Sequence, residues 1–278
     1  MLRHNDVAMT RISALPVFRS LFISDTHLGT RECRADFLAD FLRRVSAEHI
    51  YLVGDIIDGW RLRRGWHWDR HHDAVLTEIL RHARAGAKVT YIAGNHDDAL
   101  RRFLALGLEI AGVALSDEAE HVTADGRRLL VLHGDQFDSV VCYARLLALL
   151  GDGAYSLALR LNRYFNLIRA RLGYPYWSLS AYLKRRVKEA VAAIDRFEMA
   201  LVTDAARRGF DGVVCGHIHH AELREVAGKL YLNAGDWVES CTAVVEHRDG
   251  RLELLDWAAI NGLSFLAPRG AALNVAGI

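Results

Sequence analysis

The stretch HIYLVGDIIDG, residues 49–59, joins an apolar run to a loop rich in Asp and sets the pattern for the whole chain. The run HIYLV predicts a short buried strand that ends on Asp55. Four other apolar runs are each followed by residues that can bind metal: SDTHLG at 24–29, GNHDD at 94–98, HGD at 133–135 and GHIH at 216–219. Because sites in layered α/β folds lie beyond the carboxyl ends of strands, we expect these five blocks to meet.

The composition is that of a globular protein with a local excess of positive charge. The chain has 278 residues, 51% hydrophobic and 25% charged, which allows one large domain with an insertion. The net charge is +1, so charge as a whole does not indicate nucleic acid, although 160–208 is strongly basic. The four cysteines form no C-x-x-C pair, and the sequence has no apolar run of the signal-peptide type and no stretch of transmembrane length. These features predict a cytoplasmic protein. A place on a membrane surface stays open.

Strand and helix patterns alternate over 18–138 and resume over 209–260. Between them, 139–208 has helical spacing and no strand pattern, which predicts a helical cap inserted into the core. In the segment 178–206, apolar residues that include Val191 and Met199 recur at roughly helical spacing, which predicts a helix.

The blocks supply the side chains of a two-metal hydrolytic site, namely Asp25, His27, Asp55, Asn95, His133, His217 and His219. Alternate residues at a strand end point the same way, so Asp25 and His27 can reach one ion, and the same holds for His217 and His219. Asp55 is the natural bridge, since a carboxylate has two oxygens. The mixed donor set favours two transition-metal ions, most simply Mn²⁺, with Fe or Zn open. Two such ions about 3.5–4 Å apart would activate a hydroxide and clamp a phosphoryl group.

Other residues near the blocks are candidates for substrate contact. His96 directly follows Asn95 and is predicted to contact phosphoryl oxygens or to protonate the leaving group. Asp97 would then orient His96. Candidates further from the metals are Arg61, Arg64, Asp138, Ser180, Lys184 and Lys188. The cations of the helix at 178–206 are equally explained as a solvated face. The histidines at 67, 71 and 72 favour a loop feature at a helix start over a third metal site.

At the five blocks the sequence resembles the calcineurin-like metallophosphoesterases, whose pattern is D-x-H, G-D-x-x-D, G-N-H-[DE], H-G and G-H-x-H. Every position of that pattern is met, over roughly 18–246. The resemblance implies a four-layer α/β/β/α sandwich with two metal ions. It also implies one ion on Asp25, His27, Asp55 and His219 and another on Asp55, Asn95, His133 and His217.

SDTHLGT, GDIIDGW, HGDQFD, the helical insertion and GDWVES resemble one branch of that family, the UDP-2,3-diacylglucosamine pyrophosphatases. The resemblance implies cleavage of a UDP-linked diacyl sugar to lipid X and UMP by metal-hydroxide attack, at the inner face of a membrane. Aromatic residues and cations of the cap would suit such a surface. The best-known members have Arg at the position of His96, so a paralogue with another phospho-substrate stays open. So do a soluble phosphodiesterase for nucleotides or nucleic acid and a metal-bearing scaffold, although no stable nucleic-acid partner is expected.

Overall fold

The computed structural model describes residues 17–62, 65–107, 109–140, 164–166, 168–169, 171–174 and 178–261, without the side chains of 62, 105, 138–140, 179–184, 186, 187 and 190. The strands of these ranges are β1 Val17–Ile23, β2 Ser46–Val53, β3 Lys88–Ile92, β4 Glu109–Ile110, β5 Val113–Ser116, β6 Glu118–Val122, β7 Arg128–Leu132, β8 Gly212–Cys215, β9 Glu222–Val226, β10 Lys229–Asn233, β11 Thr242–Glu246 and β12 Leu252–Asp256. The helices are α1 Ala35–Arg44, α2 Gly59–Leu62, α3 Arg70–Arg84, α4 Leu179–Arg207 and α5 Trp257–Ile260, with 3₁₀ helices at Asp98–Leu106 and Asp135–Val140.

The strands form two sheets with parallel centres. The first sheet has the order β12-β11-β1-β2-β3-β5-β4, and β1, β2, β3 and β5 run parallel. The second has the order β6-β7-β8-β10-β9, in which β7, β8 and β10 run parallel. Parallel strands are normally covered on both faces, and both faces are covered here.

Alternation along the central strands explains the layers. In β2, Ile50 and Leu52 belong to an outer apolar cluster, whereas Tyr51 and Val53 belong to the cluster between the sheets. The side chains of β7 alternate in the same way between the cluster that lies between the sheets and the cluster on the far side of the second sheet. Side chains of a strand point alternately to opposite faces, so each strand contributes to two clusters. Three clusters separate four layers, and the predicted α/β/β/α sandwich is confirmed.

Helices cover the two outer faces. Helices α1 and α3 pack on the first sheet, and α3 begins with a capping box in which Asp69 accepts from the backbone of His72. The C-terminal part of α4 packs on the second sheet through Phe197, Leu201 and Ala205, which are fully buried.

The predicted helix at 178–206 is confirmed, although not all of its apolar residues are buried. Val191 is 52% exposed and Met199 is 48% exposed. The second sheet contacts the stripe that includes Phe197, because the line of contact is set by the neighbouring sheet and not by apolar spacing along the helix alone. The division into a core of 18–138 and 209–260 and a cap of 139–208 stays a prediction, because 141–163 lie outside the described residues. Among the described residues, no helix combines the length and apolar character needed to cross a bilayer.

Candidate dinuclear metal centre

The candidate ligands lie on loops that leave both sheets at the same end of the sandwich. Asp25 and Asp55 come two residues after β1 and β2, and Asn95 comes three residues after β3. His133 directly follows β7, and His217 comes two residues after β8. These strands are parallel neighbours within their sheets. Their carboxyl ends therefore bring loops from both sheets to one place.

Five of the candidate ligands have a left-handed backbone, which residues other than glycine rarely adopt. The φ angles are 50° at Asp25, 48° at His27, 52° at Asp55, 71° at His217 and 54° at His219. Each such residue costs on the order of 1–3 kcal/mol unless its surroundings maintain it. Hydrogen bonds between loops do so here: the amide of Asp25 donates to the carbonyl of Gly54 at 3.1 Å, and the amide of His27 donates to the carbonyl of Asp55 at 2.9 Å.

Glycines before the ligands make room for ligands of other loops. A Cβ added to Gly54 would overlap the imidazole of His133, and one added to Gly216 would overlap the side chains of Ser24 and Asp25. The G-D and G-H pairs of the sequence therefore join a ligand to the small residue that lets a second loop approach.

One group of donor atoms consists of Asp25, His27 and His219, whose ligand atoms lie within 4.8 Å of one another. Nε2 of His219 is 3.1 Å from Oδ1 of Asp25, and Nε2 of His27 is 3.9 Å from the same oxygen. The two Nε2 atoms are 3.3 Å apart. Three nitrogen and oxygen donors at this spacing fit one cation.

A second group consists of Asp55, His133 and His217, also within 4.8 Å. Asp55 faces both groups, because its Oδ1 is 3.4 Å from Nε2 of His133 and its Oδ2 is 3.9 Å from Nε2 of His27. The structure thus brings together three of the donors predicted for each ion, with Asp55 between the two groups. His217 and His219 fall in different groups, so the expectation from strand-end spacing that these two reach one ion is wrong.

Unpartnered atoms test whether these residues fit a metal pair. Within the described part of the chain, seven buried side-chain nitrogen or oxygen atoms have no hydrogen-bond partner, and three of them are Oδ1 of Asp25, Oδ1 of Asn95 and Nε2 of His133. A buried polar atom left in this state costs about 1–3 kcal/mol. All three belong to predicted ligands, and oxygen and imidazole nitrogen are donors that divalent transition metals accept. The donor set therefore fits two such ions.

The charges of the site suit cations as well. Burial raises the pKa of Asp25, but His219 and the neighbouring histidines outweigh burial and hold that pKa well below its usual range. Burial likewise raises the pKa of Asp55, and His133 more than reverses the effect. Burial lowers the pKa of His133, but Asp55 raises it to about 10. Both carboxylates are therefore negatively charged at neutral pH.

Hydrogen-bond acceptors behind His27 and His133 direct the Nε2 atoms of these two rings to the centre. Nδ1 of His133 lies 3.0 Å from the carbonyl of Val53, and Nδ1 of His27 lies 3.4 Å from Oδ2 of Asp58. Nδ1 of His219 lies 3.7 Å from Oδ2 of Asp236, which is beyond hydrogen-bond distance. An acceptor at Nδ1 keeps the proton there and leaves Nε2 available to a metal. Sequence reasoning assigned no role to Asp58 or Asp236, although both occur in quoted blocks, GDIIDG and GDWVES.

His96 lies between the two groups, because a ligand atom of its ring is within 4.8 Å of those of His27 and Asp55. The carboxylate against this ring is Asp58 and not the predicted Asp97. Nε2 of His96 is 3.8 Å from Oδ2 of Asp55, and its Nδ1 is 3.0 Å from Oδ2 of Asp58. Asp97 instead accepts hydrogen bonds from the amide of Ile56 at 2.9 Å and the hydroxyl of Tyr91 at 2.6 Å. Asp97 thus ties the GNHD turn to the GDIID loop, and Asp58 is the carboxylate that holds the His96 ring.

The predicted substrate contacts remain predictions. Arg61 and Lys188 are exposed, as contact with a ligand from solvent would require. Arg64 lies outside the described residues, as do the side chains of Asp138, Ser180 and Lys184.

The histidine cluster at the start of α3 has a structural explanation. His72 is buried and its Nδ1 lies 2.9 Å from Oδ1 of Asp69, the N-cap residue. Its Nε2 lies 3.3 Å from the carbonyl of Thr30. The groups of possible metal donors found among the described residues all surround Asp25 and Asp55. His72 therefore anchors α3 to the first ligand loop.

Comparison with known proteins agrees with this geometry. A family model described as calcineurin-like phosphoesterase matches residues 18–221, most of the chain and all five blocks. The chain belongs to the calcineurin-like phosphoesterase family. It is a metal-dependent hydrolase, and the family implies divalent cations at the centre described above.

Relatives of this phosphoesterase confirm the resemblance to the narrower branch at low identity. A UDP-2,3-diacylglucosamine hydrolase of Photorhabdus laumondii subsp. laumondii is 26% identical over 219 residues, which are 74% of this chain and 84% of that protein. A UDP-2,3-diacylglucosamine hydrolase of Aliivibrio fischeri is 32% identical over 123 residues, 41% of this chain and 47% of that protein. The second match thus spans about half of the relative's length.

Solved structures are more distant from this phosphoesterase. Wild-type Vps29 of Entamoeba histolytica in complex with Zn²⁺ has 15% identity and a TM-score of 0.41, over 86% of this chain and 98% of that one. An archaeal phosphodiesterase has 14% identity and a TM-score of 0.41, over 85% and 98%. These values bear on neither substrate nor partner.

Proposed function

We propose that this phosphoesterase hydrolyses the pyrophosphate of a UDP-linked lipid precursor, UDP-2,3-diacylglucosamine, to UMP and lipid X. The observation that carries the reaction class is the pair of donor groups joined by Asp55, with buried donor atoms that lack hydrogen-bond partners. The substrate class is supported by the names of the relatives that match 74% and 41% of the chain.

The proposed ligands are Asp25, His27, Asp55 and His219 for one ion, and Asp55, Asn95, His133 and His217 for the other. Mn²⁺ is the proposed metal because imidazole and carboxylate donors are mixed, and Fe or Zn would accept the same set. Two bound divalent ions would supply an activated water and neutralise phosphoryl charge.

The protein's own part in the reaction is positioning and proton transfer. Asp55 keeps the two donor groups at a fixed separation, since its oxygens face opposite groups. His96 is held through Nδ1 by Asp58, so its Nε2 stays beside Asp55. From there the ring can donate a hydrogen bond to a phosphoryl oxygen or a proton to the leaving oxygen.

We further propose that the protein works in the cytoplasm at the inner face of the membrane. Residues 164–174 support this, because Tyr164, Ile168, Leu172 and Tyr174 are each more than half exposed. Basic side chains occur in the same segment, and cations near an anionic surface each contribute about 1 kcal/mol to binding. Co-sedimentation with anionic vesicles, compared with neutral ones, tests this; equal partition into both, or into neither, contradicts it.

The substrate is tested by measuring UMP release from UDP-2,3-diacylglucosamine with Mn²⁺, beside hydrolysis of bis(p-nitrophenyl) phosphate. The matched variants are Asp55→Asn, which alters the centre, and Asp36→Asn, which alters an exposed pair with Arg34 on α1. We expect UMP release well above the rate with the generic diester, lost in Asp55→Asn and kept in Asp36→Asn. Turnover of the generic diester without UMP release would refute the lipid substrate and leave a phosphodiesterase for another compound. Full activity of Asp55→Asn would refute the assignment of the centre.

A further inference from the structure

Three consecutive residues hold His96 from three sides. Asp58 contacts Nδ1 of its ring at 3.0 Å, and the amide of Gly59 donates to its carbonyl at 2.9 Å. The indole of Trp60 stacks on the imidazole, with ring centroids 4.1 Å apart and planes 27° apart. A Cβ at position 59 would lie only 2.7 Å from the His96 carbonyl oxygen, so this approach requires glycine. The position of Trp60 is therefore fixed by the contacts of Asp58 and Gly59 with His96 and by the stacking of its own indole on His96.

Trp60 does not serve the core. It is 52% exposed although one of its faces is covered by His96, and it belongs to none of the three apolar clusters of the described residues. The uncovered face of the indole is thus a flat apolar surface that needs no reorganisation before it binds.

The position of the Trp60 indole beside the candidate metal centre indicates which kind of ligand could stack on it. His96, on which Trp60 stacks, lies 3.8 Å from Asp55, the carboxylate between the two donor groups. A group stacked on the far face of Trp60 is therefore next to a phosphate held at the centre. Arg61, the next residue, is exposed and adds a positive charge at the same edge. A planar ring attached through a sugar to that phosphate matches this arrangement.

We infer that Trp60 is a stacking platform for the base of a nucleotide whose phosphate lies in the metal centre. The inference deepens the proposed function, on which it rests for a nucleotide in the substrate. Stacking of a base on an aromatic side chain changes affinity by roughly 5- to 100-fold. It tolerates different bases, because each has a π-face.

A second exposed tryptophan provides a matched control. Trp66 is 53% exposed, close to the value of Trp60, and lies against Gly29 and edge-on to Trp68 at 5.0 Å. It has the same side chain and the same exposure, but its described ring contact is with Trp68 and not with His96.

The test is calorimetric binding of UMP and of ribose 5-phosphate to the full chain loaded with Mn²⁺. The two ligands share the phosphate and the sugar, so the ratio of their affinities isolates the base. We expect wild type to prefer UMP about 5- to 100-fold. Trp60→Leu should reduce the ratio to near one without changing the affinity for ribose 5-phosphate, Trp60→Phe should retain part of the preference, and Trp66→Leu should keep all of it.

Several results would overturn the inference. Equal affinities in wild type, or binding of neither ligand, would mean that no base platform exists. Loss of the preference in Trp66→Leu would place the platform elsewhere, and an equal loss of both ligands in Trp60→Leu would mean that Trp60 only positions His96. The proposed lipid substrate is judged separately, since a protein that prefers UMP through Trp60 but releases no UMP from UDP-2,3-diacylglucosamine keeps this inference and loses that substrate.

Discussion

Replacing Asp58 by Asn removes one negative charge from between two imidazoles and keeps the shape of the side chain. Oδ2 of Asp58 lies 3.4 Å from Nδ1 of His27 and 3.0 Å from Nδ1 of His96. Burial raises the pKa of Asp58, but hydrogen bonds with the two histidines outweigh burial and hold it well below its usual range. Asp58 is thus a charged acceptor. An Asn amide can instead donate to Nδ1, which moves the ring proton to Nε2, where His27 is needed as a ligand.

The size of the effect follows from the two rings. Loss of an acceptor behind one metal-binding histidine typically costs about 10- to 100-fold in metal affinity or activity. We therefore expect Asp58→Asn to weaken Mn²⁺ binding by about 10- to 100-fold through His27. At saturating metal, the disturbed His96 should lower kcat by a similar factor, or about 1.4–2.7 kcal/mol in the activation barrier. The KM for a small diester should change little, because Asp58 lies behind the rings.

The assay is hydrolysis of bis(p-nitrophenyl) phosphate over a Mn²⁺ titration, with thermal unfolding measured on the same samples. Asp97→Asn is the matched control in the neighbouring block. It disturbs hydrogen bonds from Ile56 and Tyr91 and should cost about 1–3 kcal/mol of stability. If Asp58→Asn keeps the kcat and Mn²⁺ affinity of wild type, and Asp97→Asn loses turnover with an unchanged Tm, then Asp97 orients His96 and the reasoning from the structure is wrong.

Three further predictions concern metal loading, acid stability and loop packing. Asp55 raises the pKa of His133 to about 10 in the metal-free protein, so a cation that binds there must displace a proton. Calorimetry in buffers of different ionisation enthalpy should therefore show proton release, and the affinity for Mn²⁺ should rise with pH. An affinity that does not depend on pH would contradict this prediction. Burial raises the pKa of Glu246, but the hydrogen bonds of this carboxylate lower that pKa overall. Ionised Glu246 therefore stabilises the fold above pH 4.5, the ordinary pKa of Glu, and this stabilisation is lost as the pH falls below that value. Glu246→Gln should reduce the drop in Tm on acidification, and an unchanged drop would exclude Glu246 as the cause of the drop. Gly216→Ala should lower the amount of metal bound per chain, because the added Cβ would overlap Ser24 and Asp25 of a ligand loop. Gly228→Ala places its Cβ in open space and should leave the metal content unchanged. Equal metal content in both variants would contradict the overlap argument.

Sequence reasoning predicted which candidate ligands lie close together, because ligand type and strand position are both local properties. Asp25, Asp55 and His217 each follow a buried strand at a short distance, and parallel strands place such residues at one edge. The same reasoning misassigned the partner of His96, since Asp97 is its sequence neighbour and Asp58 is its neighbour in space. A carboxylate's partner depends on how two loops pack, and neither periodicity nor spacing encodes that distance.

The face of α4 shows a similar limit. Val191 and Met199 share the helical spacing of the other apolar residues of this helix, but both are about half exposed. A helix of 29 residues, Leu179–Arg207, presents several apolar stripes, and the partner sheet selects one of them. Phe197 is fully buried on that stripe, where it packs with Leu130 and Leu132 of the second sheet. Which stripe is selected depends on the orientation of the helix, a tertiary property.

The recurring glycines are visible in the sequence pattern and also determine how the ligand loops pack. Gly54 precedes one ligand and gives way to the ring of His133, which comes from the other sheet. Gly216, on the second sheet's loop, gives way to Ser24 and Asp25 of the first. Each sheet thus holds the ligands of the other in place, and the strained backbone of Asp25 is maintained by a hydrogen bond to Gly54. Because packing between the sheets and placement of the candidate donors are the same set of contacts, the fold itself places these donors close together.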